Sequence, residues 1–109
     1  MPDPLVEKIA ELADIFRLMG DASRLRVLML VRDEARPVGD IAAETGLSPS
    51  LVSHHLRLLR AGRLVRAERR GKHVFYAFHD AHVRGVLSNM VDHVAEDEDQ
   101  TAPSVRAVG

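Results

Sequence analysis

Leu47-Ser48-Pro49-Ser50-Leu51-Val52-Ser53-His54-His55-Leu56-Arg57-Leu58-Leu59-Arg60-Ala61-Gly62 carries its own start and stop signals. Ser48 is a good helix cap, Pro49 suits the first helical position, and Gly62 suits the end. On the helix between them Val52, Leu56 and Leu59 point one way, and Ser50, Ser53, His54 and Arg57 point the other. Just upstream, Pro37 begins a short helix, Val38 to Thr45, which Gly46 stops. Two helices joined by a glycine turn, the second with a small-polar and basic face, form a helix-turn-helix, whose second helix enters the DNA major groove. Downstream, Leu64 to Arg69 and His73 to Phe78 alternate in part around Arg70-Gly71-Lys72, which reads as a β-hairpin with a basic tip. The expected fold is therefore mainly α with a β-hairpin wing, a winged helix-turn-helix.

Toward the N-terminus, Leu5, Ile9, Leu12, Phe16 and Met19 recur at steps of three and four, a heptad-like seam on a helix of about residues 4 to 19. Gly20 ends it and Asp21 caps a second helix, Ala22 to Asp33. Its run Val27-Leu28-Met29-Leu30-Val31 is apolar on all sides, so it is expected to be the buried centre. Residues 1–99 read as one DNA-binding and dimerisation domain. Gln100 to Gly109 has no periodicity and is expected to be a disordered tail.

Asp80 opens a last helix, and His82, His93 and Glu96 fall within about 60° of one another on it. Val83, Val86, Leu87, Met90 and Val94 make the apolar stripe alongside. His82 and His93 stand roughly 16 Å apart on a helix rising about 1.5 Å per residue, and a zinc–nitrogen bond is about 2 Å. One helix cannot bring both to one ion. Two copies packed antiparallel can, with Asp80 and His82 of one meeting His93 and Glu96 of the other, twice over by symmetry. Taken singly, each residue has a plainer reading. Asp80 is a helix cap, His82 and His93 are interface histidines, and Glu96 is a solvated acid. His79 is a stray candidate beside them.

With 109 residues and 46% apolar content, the chain suffices for one modest core that dimerisation would help. It has no cysteine, so disulfides and thiolate metal sites are excluded. No apolar run is long enough for a membrane span and the first residues lack a signal pattern, so a cytoplasmic protein is expected. The net charge of −1 hides a basic stretch: Arg57, Arg60, Arg63, Arg66, Arg69, Arg70 and Lys72 against the single acid Glu68. Such a stretch is a solvated surface by default. Following a helix-turn-helix it reads as a face for phosphates. The expected division on DNA is Ser50, Ser53, His54 and Arg57 toward the groove, with Arg60 and the wing residues Arg69, Arg70 and Lys72 on phosphate, and Ser48 is a further candidate DNA contact. His55, beside His54, is expected to turn toward the flank of the core.

Gly20-Asp21-Ala22-Ser23-Arg24-Leu25-Arg26-Val27-Leu28, the 47–59 stretch and the wing Arg70-Gly71-Lys72-His73-Val74-Phe75-Tyr76 closely resemble the ArsR/SmtB repressors, dimeric bacterial winged-helix metal sensors. The resemblance runs from about Ile15 to Glu96. It implies a homodimer through the first and last helices, bound to operator double-stranded DNA. Members that sense soft metals carry a Cys-x-Cys where this chain has Pro37 and Gly39, so that site is absent. Asp80, His82, His93 and Glu96 match the spacing of the zinc and cobalt branch without an insertion. The resemblance implies that the metal acts as inducer, releasing DNA and switching on efflux or sequestration genes. Four N/O ligands suit tetrahedral Zn(II), Co(II) fits the same cage, and Ni(II) generally wants more donors. A further expectation is that the His93 ring donates to a backbone carbonyl near Arg63.

The nearest rival is a repressor of the same family that ignores metal or answers another signal. A zinc hydrolase would need an open coordination position, which a four-ligand set lacks, so no enzyme activity is expected. A pure interaction protein would leave the basic wing without a purpose.

Overall fold

Capping residues set the boundaries of most helices. Asp3 accepts from the Leu5 N–H at 2.9 Å, Asp21 from Arg24 N–H at 2.9 Å, Ser48 from Leu51 N–H at 3.1 Å and Asp80 from Val83 N–H at 3.1 Å. The computed structural model describes residues 3–99. The elements are α1 (Pro4–Met19), α2 (Ala22–Leu30), β1 (Arg36–Pro37), α3 (Val38–Thr45), α4 (Pro49–Ala61), β2 (Val65–Arg70), β3 (His73–Phe78) and α5 (Ala81–Asp99). The expected tail from Gln100 onward lies outside the described residues. No helix among those residues is long and apolar enough to cross a membrane.

The winged helix-turn-helix is present. Gly46 ends α3 in the left-handed conformation, φ 75°, and α4 follows after the short turn. β2 and β3 pair antiparallel from Val65 opposite Phe78 to Arg70 opposite His73, with Gly71 at φ 62° in the turn. The wing strand thus begins one residue later than expected and takes in Arg70. β1 was not anticipated. It pairs Arg36 with Tyr76 and Pro37 with Phe75, giving the order β1-β3-β2. Proline is tolerated there because an edge strand leaves some N–H positions unpaired.

α2 stops at Leu30 rather than running to Asp33. Its last turn tightens, with Val31 N–H donating to Leu28 carbonyl and Arg32 N–H to Met29 carbonyl, three residues back instead of four. Only Val27, Leu28 and Val31 of its apolar run are buried; Met29 and Leu30 are half-buried. These join Ile41 of α3, Val52, Leu56 and Leu59 of α4, and Val65 and Phe78 of the sheet in one core.

α1 attaches to that core by Ile15, Leu18 and Met19, not by the whole heptad seam. A Cβ on Gly62 would stand 2.5 Å from Leu18 Cδ1, the far end of a flexible side chain, so α1 lies close on the end of α4 and the leucine would have to shift for any larger residue there. The next residue, Arg63, turns the chain into β2 through the left-handed region, φ 57°, a conformation costly for a side chain with a Cβ. Along α1, Leu5, Ile9, Leu12 and Phe16 stay 44–61% exposed. α5 behaves alike: Leu87 is buried and Val83 half-buried, while Val86, Met90, Val91 and Val94 are about half exposed.

Candidate DNA interface and metal-ligand positions

α4 separates its faces as its sequence demands. Val52, His55, Leu56 and Leu59 are buried, whereas Ser50, His54, Arg57 and Arg60 are exposed and Ser53 is half-buried. A helix presenting hydroxyl, imidazole and guanidinium groups on one side has the donors and acceptors to read base edges. Ser48 is occupied as the cap of α4, which fixes where that face starts. On the wing, Arg69, Lys72 and His73 are exposed.

Glu68 alters the expected charge of the wing. Arg66 lies 2.6 Å and Arg70 2.9 Å from its carboxylate oxygens. Hydrogen bonds from Arg70 and Arg66 hold the Glu68 carboxyl below the usual carboxylate range. Arg66 also donates to the Phe78 carbonyl at 2.8 Å, and the Arg70 guanidinium stands 4.7 Å over the Phe75 ring. Arg70 therefore shares one carboxylate with Arg66, which leaves the trio one net positive charge, while Arg69 and Lys72 stand exposed beside it. The signal was in the sequence, since positions 66, 68 and 70 share one face of a strand.

His55 does turn inward, as its place beside His54 suggests. Its Nε2 lies 2.8 Å from Ser23 Oγ, and Ser23 Oγ donates to Asp21 Oδ1 at 2.9 Å. The single hydroxyl proton is thus committed to Asp21, so Nε2 carries the imidazole proton and Nδ1 the lone pair. Nδ1 is buried without a partner. Burial, with Arg24 nearby, pushes the His55 pKa below its ordinary value. This chain pins the recognition helix α4 to the start of α2. Its members are 32 residues apart in sequence, beyond the reach of any periodicity argument.

At the start of α5, Asp80 divides its carboxylate. Oδ1 caps the helix, and Oδ2 lies 3.6 Å from His82 Nδ1. The hydrogen bond from Val83 N–H, with His82 nearby, holds the Asp80 carboxyl below its usual value. The His82 side chain is 96% exposed. Both border a groove of about 400 Å³ between α1, α5 and the α4–β2 turn, lined also by Phe16, Arg63, His79 and Val86. His93 and Glu96 are exposed at the other end of α5. Within one chain the four are not brought together, and no three His, Asp or Glu side chains among the described residues are close enough to share an ion.

Residues 21–67 match the model of the bacterial regulatory proteins of the arsR family. A transcriptional repressor SmtB homolog from Synechocystis sp. is 36% identical over 93 residues, covering 85% of this chain and 70% of that one. The chain belongs to the arsR family. The HTH-type transcriptional regulator CmtR of Mycobacterium bovis is 39% identical over 97 residues, covering 88% of this arsR-family chain and 82% of CmtR. Among solved structures, the homodimeric winged helix-turn-helix DNA-binding domain of a possible ArsR-family regulator from Mycobacterium bovis superposes with a TM-score of 0.81. It is 26% identical and covers 93% of each chain. The arsR-family chain is accordingly a winged-helix transcriptional regulator and not an enzyme.

Proposed function

We propose that residues 1–99 act as one DNA-binding and dimerisation unit of a metal-responsive repressor. Two copies join through α1 and α5, bind operator DNA by α4 and the wing, and release it when Zn(II) or Co(II) is bound between their last helices. The observation that carries this reading is a symmetry within α5. Asp80 and Glu96, and likewise His82 and His93, are placed evenly about residues 87–88. Val86, Met90 and Val91, half exposed, flank that midpoint. A twin helix crossing antiparallel there covers the apolar side chains and sets each donor pair opposite its complement.

The donors present fit such an ion: two imidazoles and two carboxylates, with Asp80 and His82 already side by side. When bound, a divalent ion would supply a link between two chains. Both imidazoles must be unprotonated to coordinate, so acid opposes the link. DNA in turn requires the two α4 helices at a half-site spacing of about one helical turn. If the linked arrangement does not keep that spacing, the two ligands weaken each other reciprocally. Arg63, near which the carbonyl acceptor for the His93 ring is expected, borders the groove of Asp80 and His82, not the end of α5 that bears His93. That contact therefore needs the second copy. His79 lines the same groove, and Ni(II), which takes more donors, is the second reading.

Gel shift with DNA from upstream of the protein's own gene should show a complex that zinc disperses and a chelator restores. Titration calorimetry should give one zinc per chain. Asp80→Asn keeps a good cap but surrenders a charged ligand. It should leave the melting temperature within about 2 °C, a few tenths of a kcal/mol. Zinc affinity should fall by at least roughly 10–100-fold, the loss seen even for outer-shell partners. Zinc bound within a monomer, or no zinc bound at all, would overturn the reading.

A further inference from the structure

Ten large apolar side chains are exposed among the described residues, and nine of them lie on α1 and α5. The tenth is Leu51, 37% exposed in the first turn of α4. It does not continue the surface that α1 and α5 leave open. That surface meets α4 at its far end, where Ala61 and Gly62 border α1, and Leu51 is roughly 16 Å up the helix from Gly62. Nor does it belong to the core, since the buried side of α4 is made by Val52, His55, Leu56 and Leu59. Leu51 stands between the two faces, about 60° around the helix from exposed His54 and about 40° from buried His55, with 37% of its surface open. The Ser48 cap fixes the turn that carries it.

We propose that Leu51 is a specificity-determining residue that reads a thymine through its C5 methyl group. In a helix-turn-helix the N-terminal residues of the second helix are those that reach base edges. Thymine alone among the four bases shows a methyl group in the major groove, and apolar side chains are its partners. Ser50, His54 and Arg57 offer hydrogen bonds to their bases; Leu51 offers none and can discriminate only by apolar contact. The inference rests on the DNA-binding reading above.

The test begins with a duplex selected from random-sequence DNA by the full-length protein without metal. Each thymine is then replaced singly by deoxyuracil, which removes the methyl and nothing else. Wild-type protein should bind about fourfold more weakly at one thymine of each half-site, the change expected for one buried methyl group. Leu51→Ala should bind the thymine duplex more weakly by a similar factor, show no further loss with uracil at that position, and keep its affinity for random-sequence DNA. Equal binding of all uracil duplexes by the wild type overturns the inference and leaves the DNA reading intact. So does an unchanged uracil penalty in Leu51→Ala, which would assign the methyl to another residue. Failure to select any sequence would remove the DNA reading, and this inference with it.

Discussion

Leu28 of α2 and Leu56 and Leu59 of α4 are fully enclosed, whereas Leu5, Ile9 and Phe16 of α1 are 52–61% exposed and Met90 and Val94 of α5 are about as open. The first group sits among α2, α3, α4 and the sheet, in a core that Leu87 of α5 joins and Ile15, Leu18 and Met19 of α1 pack against. The second group has the residue types of a core and no neighbours to make one. In a small domain with limited interior, a helix with apolar residues on two sides can bury one side internally and must find cover for the other. The difference separates apolar side chains that the fold itself encloses from apolar side chains that it leaves open, and under the proposed dimer a second copy would cover the latter.

The contrast breaks most visibly at Leu56. Leu56→Ala should cost about 2–5 kcal/mol of stability, as for other large-to-small changes in a close-packed core. Urea unfolding should show the loss at every protein concentration. Phe16→Ala, on the open side, should weaken self-association by about thirtyfold, roughly 2 kcal/mol. Sedimentation should detect it while the circular dichroism of the concentrated protein stays unchanged. If Phe16→Ala instead unfolds the chain without changing its association, the division between the two parts is wrong.

DNA binding sharpens the comparison within the enclosed part. Arg57→Ala should weaken binding to the selected duplex about tenfold, more than to random DNA. Lys72→Ala should weaken both alike and reduce the salt slope by about one. Equal losses on both DNAs for Arg57→Ala would move Arg57 from base to phosphate. The smallest expected effect comes from His55. Its folded pKa lies below the unfolded one, near 6.5. Between the two values the unfolded chain binds more protons, so stability is complete above about pH 6.5 and declines as pH falls through the folded value. His55→Gln should flatten that decline in thermal melts between pH 5 and 7, and an unaltered pH profile would assign it to other groups.

The element boundaries readable in advance are those written in caps and glycines. α3 and α4 fall where Pro37, Gly46, Ser48 and Gly62 place them. α2 carries no stop residue after Leu30, and its end is set by tightened hydrogen bonding that composition does not show. β1, two residues long, is too short to display any alternation. Among the candidate DNA residues, the helix face was readable from a period of 3.6, and the partnering of Arg70 from the alternation that sets Glu68 two residues away on the same strand face. The last-helix donors were readable as a spacing. Their proposed use was not legible in one copy, since nothing within it draws His93 toward Asp80.

Asp80 commits one oxygen to Val83 and keeps the other beside His82. Serine would launch α5 about equally well, yet it offers a single oxygen, already spent on the backbone. Exchange for serine here would thus pass nearly unnoticed in a melting curve while removing the oxygen that faces His82. Selection acting here through folding alone has no means of preserving it.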